Sequence, residues 1–577
     1  MKKILDYIVL IFIALIINGC ANAVSPTGGP KDEIPPVVLG TSPDNFSKNF
    51  SDKTINVTFD EFVTLDNANK NILISPPQKK SPTYRLNGKT LQIRFEEDLK
   101  PETTYSINFG NAIKDLHEGN ILKDYVFVFS TGENLDTLSL AGKAVSAQTL
   151  KPAEDFFVFL YSDDNDTIKL DSLPYCVVPN YITKTNKKGE FAFSGLADKE
   201  YLLFAIKDVN SNMLFDLPNE EIGYYPEMVK PQYIPVNQFV IDTAIKDSVV
   251  MKPAPFDTTK YNLNTFVEED SIQKLLKKET FDDGVLRFAF RYPADNVSIE
   301  PKDELPDSIK ILKVFSAKKD TVSWFVTPEI DSLWICINYD TIIKDTTHYS
   351  LKMRKAVKPN KRKKDEEEVV VKRLNIKNNA AGNKLKPEQQ LILSFNDPIV
   401  DVAMRDTMWF ITTKDTIYND LHFTKIDEYG FQYKVEKSFK PEEKYQIIIP
   451  DSVFFGFRGL TNDTLKLGFS VPELAQYGNI YLTVEVPENV PQIIVDLLDT
   501  KDKIIDKQII TETQEVAFEY LEAGKYKLRA TYDMDANGEW SPGSFRRKIQ
   551  PEKIVFYKTE LDVKANWDID LDEPWEL

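Results

Sequence analysis

Alternation with a period of two runs through most of the chain. INVTF at 55–59, LQIRF at 91–95 and YVFVF at 125–129 place apolar side chains at every second position. That is the pattern of strands with one face in a core. Clusters of Asn, Asp, Gly and Pro interrupt the runs at short intervals, which predicts β-sandwiches. TVSWF at 321–325 and LWICINY at 333–339 extend the pattern, and residues 270–278 are the best short candidate for an amphipathic helix. One segment departs from alternation altogether. Residues 8–17 form an unbroken apolar run of ten behind Lys2 and Lys3. As a helix this run spans about 15 Å, too short for a hydrocarbon core of roughly 30 Å. A basic start, a short apolar run and Gly19-Cys20 behind it predict a secretory signal peptide.

The chain also repeats itself. LKPETTYSI at 99–107 matches FKPEEKYQI at 439–447, with Phe59-Asp60 and Phe395-Asn396 upstream and Phe129-Ser130 and Phe469-Ser470 downstream. The proline presets a turn, and the tyrosine then enters the core face of a strand. A second pair follows each copy. Phe193, Leu196, Tyr201, Ala205 and Asp208 recur at the same spacing as Phe518, Leu521, Tyr526, Ala530 and Asp533. Such register over a stretch this long marks a duplicated two-module unit.

Composition narrows the function. Of 577 residues, 71 are Lys or Arg and 89 Asp or Glu, a formal net charge of −18. This argues against a nucleic-acid partner, which needs a net basic face. Three His and three Cys leave little for a zinc centre or a His-based triad. The length alone suggests about four domains, and the repeats raise this to five. Cys176 and Cys336 fall in different modules and are expected to be two buried thiols rather than a disulfide.

Three resemblances add to this. INGC at 17–20 resembles a bacterial lipobox, which implies acylation of Cys20 and stable anchoring in a membrane. SPTGGPKD at 25–32 is similar to the start of a Bacteroidota-type family of Ig-like lipoproteins, and its Gly and Pro read as a tether. Surface display is expected over periplasmic orientation, although the acids that help direct it in such proteins come late here, at Asp32 and Glu33. FDEF at 59–62, the Leu99, Pro101, Tyr105 element, Asp115 with Gly119-Asn120, and FSTG at 129–132 resemble the SbsA-type Ig-like domain. The second copy lacks the Asp115-type turn. GKAV at 142–145, GEF at 189–191 and Tyr201 with Ala205 resemble the transthyretin-like fold of carboxypeptidase regulatory domains, which are non-catalytic.

The expected fold is all-β, tandem Ig-like and transthyretin-like sandwiches in series behind a lipid anchor. The layout is a signal peptide at 1–19, a lipidated tether at 20–35, an SbsA-type Ig-like domain at 36–132 and a transthyretin-like sandwich at 138–256. A third Ig-like sandwich at 284–355, a charged linker at 356–368, and second copies of the two modules at 369–472 and 473–577 complete it.

Two loops carry the most informative polar residues. Asp208, Asn210, Asn212 and Asp216 place oxygens at positions 1, 3, 5 and 9, and Asp533, Asp535 and Asn537 follow the same scheme with Gly538 at position 6. Both resemble the first half of a calcium loop. Position 12 is Asn219 in one and Ser544 in the other, so the usual bidentate Glu is missing; Glu220 and Glu221 offer a substitute in the first copy alone. Hairpin loops closed by Asx turns favour the same residues, and both readings stand. Trp540, Tyr224 and Tyr225 are loop aromatics that could anchor a partner or cap a sandwich end. Asp60 and Glu61 are adjacent on a strand and point to opposite faces, so they cannot flank one bond together. His117, His348 and His422 lie in separate segments with no metal spacing or nucleophile elbow. No cofactor is expected beyond structural calcium.

The function expected from these features is a non-enzymatic outer-membrane lipoprotein, held by lipidated Cys20 and binding an envelope protein as a scaffold. An accessory subunit of an outer-membrane β-barrel assembly, secretion or uptake complex is a sharper form of it. A glycan-binding surface protein and a degenerate hydrolase are the alternatives.

Overall fold

The period-two runs become strands whose alternate side chains are buried. Thr54–Phe59 buries Ile55, Val57 and Phe59 and turns the residues between them outward. The computed structural model describes residues 32–123, 125–163, 168–233, 238–242, 248–252, 257–269, 273–280, 285–328, 332–338, 344–350, 373–412, 417–418 and 421–577. The signal peptide, Cys20, most of the tether and the 356–368 linker lie outside these. The protein is all-β, with two four-residue α-helices and three short 3-10 turns among the described residues. No helix there is long and apolar enough to cross a membrane. Two units divide the chain, Met1–Glu268 with Pro542–Pro551, and Glu269–Ser541 with Glu552–Leu577.

The first unit begins with an Ig-like sandwich. One sheet runs Val38–Ser42, Thr54–Phe59, Thr90–Arg94, Thr83–Asn87, and another runs Leu73–Ser75, Thr104–Asn108, Val126–Ser130. Ile55, Val57, Leu91, Ile93, Ile107 and Phe127 fill the space between them. The repeated Pro-to-Tyr element has a physical reason. The Lys100 N–H donates to the Tyr105 hydroxyl at 2.9 Å, and the Tyr105 ring stacks on Phe129 at 5.4 Å.

Asp115 closes the turn that follows its strand. Its carboxylate accepts the backbone N–H groups of His117, Glu118, Gly119 and Asn120. Burial favours the neutral acid, but those N–H groups outweigh it and hold the carboxyl below its ordinary range. The resulting stability is complete above the unfolded-state value of about 4 and is lost as pH falls through the depressed folded value. Acid should therefore weaken this sandwich in urea unfolding, and Asp115→Asn should flatten the acid limb. An unchanged limb in the variant would exclude Asp115 as its source.

The second module is a seven-stranded sheet system in the order Tyr181–Lys184, Phe157–Ser162, Tyr201–Ile206, Glu221–Tyr224, Asn262–Val267, Leu138–Ser146, Glu190–Leu196. Its last strand, Asn262–Val267, pairs in parallel with its first, so the module runs past the expected boundary at 256. Hydrogen bonds fasten it to the Ig-like sandwich. The Ile182 N–H donates to Ser75 Oγ at 2.8 Å, Ser75 Oγ donates back to the Ile182 carbonyl, and Asn108 Nδ2 donates to Thr183. Gly195, at φ +75°, lies against Val128 where a Cβ would crowd the joint.

Segment Pro542–Pro551 completes this unit. Phe545 is 1% exposed and its ring meets Tyr175, Phe204 and Tyr224 at 5.9, 5.1 and 5.2 Å. Glu268 accepts from Ser544 Oγ at 2.6 Å and from the Arg546 N–H at 3.1 Å. Cys176, expected in a core, sits exposed in the short helix Leu173–Cys176 and donates to the Ser172 carbonyl.

The second unit opens with a sandwich of Leu275–Thr280, Val285–Phe290, Thr321–Thr327, Lys310–Phe315 against Ser298–Pro301, Ser332–Asn338, Lys344–Ser350. Leu275–Thr280 overlaps the stretch read as helical at 275–278, and residues 270–272 of that stretch lie outside the described residues. A lone helix of that length is marginal in water, whereas the same residues gain a full ladder against Val285–Phe290. Cys336 is half-buried because alternation turns it away from Leu333, Ile335 and Ile337.

The next sandwich repeats the first Ig-like module. Ile376–Asn378, Ile392–Phe395, Gln432–Val435, Phe423–Lys425 form one sheet and Ile417–Tyr418, Trp409–Thr412, Lys444–Ile449, Leu465–Ser470 the other. The Lys440 N–H donates to the Tyr445 hydroxyl at 2.7 Å, and Tyr445 stacks on Phe469. The missing turn acid is replaced from another position. Register places Gly456 where the first copy has Asp115, because Ile399 pairs with Gly456 as Val63 pairs with Asp115. The Asp397 carboxylate fills that space, so a Cβ on Gly456 would lie 2.2 Å from it. It accepts the Arg458 N–H at 3.0 Å and Arg458 Nε at 2.7 Å.

The last module pairs Gln514–Leu521, Gly478–Val484, Asp568–Trp575 with Ile504–Ile510, Gln492–Leu498, Gly524–Asp533, Ile554–Phe556. Gly478–Val484 and Asp568–Trp575 run parallel, as the first and last strands do in the earlier copy.

Candidate functional site: the paired Asp/Asn loops

The seven-stranded module and the last module each deliver a polar loop from the end of a core strand, Tyr201–Ile206 in one and Gly524–Asp533 in the other. A tyrosine anchors each strand at its start: Tyr201 Oη donates to the Ala197 carbonyl and Tyr526 Oη to that of Glu522. The two loops then fold alike. Asp208 accepts the N–H groups of Asn212 and Met213, and Asp533 those of Asn537 and Gly538. The fifth position after each Asp needs a positive φ, which Gly538 adopts at +79° and Met213 takes at +62°.

A buried glutamate locks both loops. Glu220, fully buried, accepts the N–H groups of Val209, Asp216 and Leu217. Glu552 accepts those of Met534 and Ser541 at 2.7 and 2.8 Å. Sequence reading found Glu220 and missed Glu552, which follows Asp533 by nineteen residues where Glu220 follows Asp208 by twelve. The inserted residues, which include Phe545, hid the equivalence.

The loops differ in charge. Asp216 accepts from the side-chain amides of Asn210 and Asn212, so the first loop closes on itself. In the second, Asp535 stands where the first has Asn210, and Ser541 replaces Asp216, donating to Asp535 Oδ2 at 2.8 Å. One oxygen each from Asp533, Asp535 and Glu552 lie within 4.8 Å of one another, the one acidic group of this kind among the described residues. Burial, then the charges of Asp533 and Asp535, push the Glu552 carboxyl above its ordinary range. Burial also acts on Asp533, but hydrogen bonds from Gln492 and the Gly538 N–H prevail and hold it low. Three convergent carboxylates are the donor set of a hard cation.

The aromatic candidates separate. Tyr224 is buried, 4% exposed, against Phe545 and Phe266; burial first, then Glu268, pushes its hydroxyl up to about 12. It is therefore no surface anchor. Tyr225 is half-buried edge-on to Tyr261, and Trp540 is half-buried with Nε1 donating to the Glu552 carbonyl. The outward tryptophans are Trp567, Trp334 and Trp409, which the sequence did not single out because strand alternation alone does not say which face meets solvent. Asp60 is structural, accepting the Val37 N–H at 2.8 Å, as Asn396 accepts that of Asn375.

Residues 32–131 match the bacterial Ig-like domain family. No curated protein matches the chain. Among solved structures it is similar to the bacterial S-layer protein rSbsC, at 12% identity over 92% of this chain and 67% of that one, TM-score 0.13. It spans 42% of the N-terminal part of SbsC, at 16% identity over 31% of this chain and TM-score 0.13. It is also similar to BcpA, the major pilin subunit of Bacillus cereus, at 10% identity over 76% and 99% of the two chains, TM-score 0.13. A Bacteroides ovatus protein, SGBP-B of a mixed-linkage glucan utilization locus, solved with a heptasaccharide, matches at 10% identity over 74% and 94%, TM-score 0.19.

Proposed function

We propose that this protein is a non-enzymatic, lipid-anchored scaffold of the outer membrane, displayed on the cell surface, whose serial sandwiches bind envelope proteins. The observation that supports it most is the duplicated pair of modules, joined in the first unit by hydrogen bonds at Ser75 and Asn108 rather than by a slack linker. Such a joint holds sandwich ends at fixed spacing, which suits protein contact over small-molecule chemistry. The test is cross-linking in native membranes followed by mild detergent extraction: reproducible envelope partners, a β-barrel complex among them, support the reading, and a chain recovered alone sinks it. Palmitate labelling lost in Cys20→Ala checks the anchor, and protease shaving of intact cells separates surface from periplasm.

Within this reading the second loop binds calcium through Asp533, Asp535 and Glu552, for structure rather than catalysis. Extracellular sites of this kind bind in the range of about 0.1–1 mM, so about 5 mM calcium adds roughly 1–2 kcal/mol to the last module. Thermal melting should show the gain in wild type and none in Glu552→Gln; a wild-type curve unmoved by calcium would refute the site.

Glycan binding is a second reading, favoured by a cleft of about 610 Å³ in the second unit where Phe315, Tyr429 and Phe431 stand beside Asp295, Asp427 and Glu428. Aromatic faces with acidic acceptors suit stacked sugar rings. On a glycan array, Tyr429→Ala should lose at least about 1 kcal/mol of any binding seen, the typical worth of a buried anchor; silence of the wild type across broad glycans counts against this reading.

A further inference from the structure

We propose that one end of the first Ig-like sandwich, formed by residues 60–62 and 115–120, rests on a lipid surface. Ile34, Phe62 and Leu116 enter the headgroup layer there, and an acidic rim pairs with the ammonium groups of phosphatidylethanolamine. The inference rests on the lipid anchor at Cys20 and names the surface that the anchored chain lays on its membrane. Three observations carry it.

The first is an apolar tip. Val63–Leu65 pairs with Ile113–Asp115, and one step past that ladder the Leu116 N–H donates to the Phe62 carbonyl at 3.0 Å. The two residues are therefore direct neighbours, yet Phe62 is 51% exposed and Leu116 54%. Asn120 brings a third apolar residue to the same end. Its Nδ2 donates to the carbonyls of Asp32 at 2.9 Å and Ile34 at 3.3 Å, and Ile34 is 53% exposed. The seven-stranded module fastens elsewhere on this sandwich, at Ser75 and Asn108, and leaves the tip in solvent.

The second is the internal copy, which shows what this end meets. Register sets Pro398 where the first copy has Phe62 and Phe457 where it has Leu116, and the Phe457 N–H donates to the Pro398 carbonyl at 2.8 Å. There the same end is covered. Pro398 is buried, Phe457 is half-buried, and the adjoining Arg458 guanidinium lies 5.4 Å from the Phe325 ring of the preceding sandwich. Phe431 meets that ring at 5.5 Å. The end by which this module joins what precedes it is thus the end that the first copy leaves bare. What precedes the first copy is the stretch from Cys20 to Asp32, and twelve residues in any conformation reach at most about 40 Å. An acyl chain on Cys20 holds the tip within that distance of the bilayer.

The third is charge. Asp32, Asp60, Asp115 and Glu118 surround Glu61: burial, then the charges of Asp60, Asp115, Asp32 and Glu118, push its carboxyl above the ordinary range. Lys89 joins them, its Nζ donating to the Asp60 carbonyl and lying 5.8 Å from the Phe62 ring. The internal copy neutralises this position, since Asp397 and Arg458 pair where the first copy has Glu61 and His117. An acidic rim round an apolar tip is repelled by anionic lipid and suits the ammonium of a zwitterionic headgroup.

The test uses the acylated chain in a Cys176→Ser, Cys336→Ser background, reconstituted in vesicles of phosphatidylethanolamine and phosphatidylcholine. A nitroxide is placed at Phe62→Cys or Leu116→Cys, the sulfur of Cys20 being blocked by its acyl group. Either label should collide more with membrane-dissolved oxygen, and less with a water-soluble nickel chelate, than one at Ser51→Cys beyond the far end of Thr54–Phe59. Exchanging the phosphatidylethanolamine for phosphatidylglycerol should lower the docked fraction at least about fivefold, the factor for one like charge near an anionic surface. Ile34→Ser with Leu116→Ser should lose the oxygen signal at Phe62→Cys with an unchanged melting curve, since both side chains face solvent. Labels that stay in water while the chain floats with the vesicles would overturn the proposal and leave the anchor standing. A chain that carries no acyl group and does not float would overturn both. Equal docking on the anionic vesicles would overturn the proposal too. So would a tip covered in native membranes and bare in these protein-free vesicles, which would give this end to an envelope protein.

Discussion

Replacing Arg458 by methionine should destabilise the sandwich built from Ile376–Asn378 to Leu465–Ser470 by about 3–5 kcal/mol, the usual cost of leaving one partner of a buried ion pair behind. Asp397 is fully buried and the Arg458 side chain is 7% exposed. With the guanidinium gone, the carboxylate keeps only the Arg458 backbone N–H. The double variant Asp397→Leu with Arg458→Met should recover most of the loss, because two apolar groups of similar volume need no compensation. Urea unfolding followed by hydrogen exchange at residues 444–470 measures both. A single variant as stable as wild type would show that the pair supports nothing, and a double variant no better than the single would show that the deficit comes from packing alone.

Phe545→Ala should weaken a module whose last strand ends nearly 280 residues earlier in the chain. The ring is almost fully buried against Tyr175, Phe204 and Tyr224. Truncation leaves a cavity lined by three aromatics, a change that ordinarily costs about 3–5 kcal/mol. The diagnostic readout is where the loss appears. Exchange should quicken in Tyr201–Ile206 and Glu221–Tyr224, while Gly478–Val484 in the other unit keeps its protection. Loss confined to the last module, with the earlier strands unaffected, would mean that segment Pro542–Pro551 does not support the seven-stranded module.

Both substitutions lie where the sequence was least readable. Alternation and self-similarity disclosed the strands and the duplication because the repeated residues do local work. Pro101 and Tyr105 recur as Pro441 and Tyr445 since a hydroxyl must meet a backbone N–H five residues upstream. Asp397 gave no such sign. Its role depends on a space emptied by Gly456, 59 residues away, and only the pairing of strands joins them. Glu552 was hidden for a related reason: the insertion that carries Phe545 separates it from its loop, so a motif counted by position stops at Ser544. Tyr224 read as a loop aromatic because the chain alone does not show that Phe545 covers it. Residues 270–278 looked helical because a mixed charged and apolar run fits either period over so short a span, and the partner strand decided the outcome.

The parallel pairing of first and last strands in the seven-stranded module and in the last module has a mechanical consequence. The chain enters such a module at one end of the sheet and leaves at the other, between Leu138–Ser146 and Asn262–Val267 in the earlier copy. Tension along the backbone then pulls these two neighbours past each other lengthwise. Their shared hydrogen bonds are strained together rather than opened one after another, as they would be in a hairpin peeled from its end. Force applied along the chain would thus be met with the whole ladder.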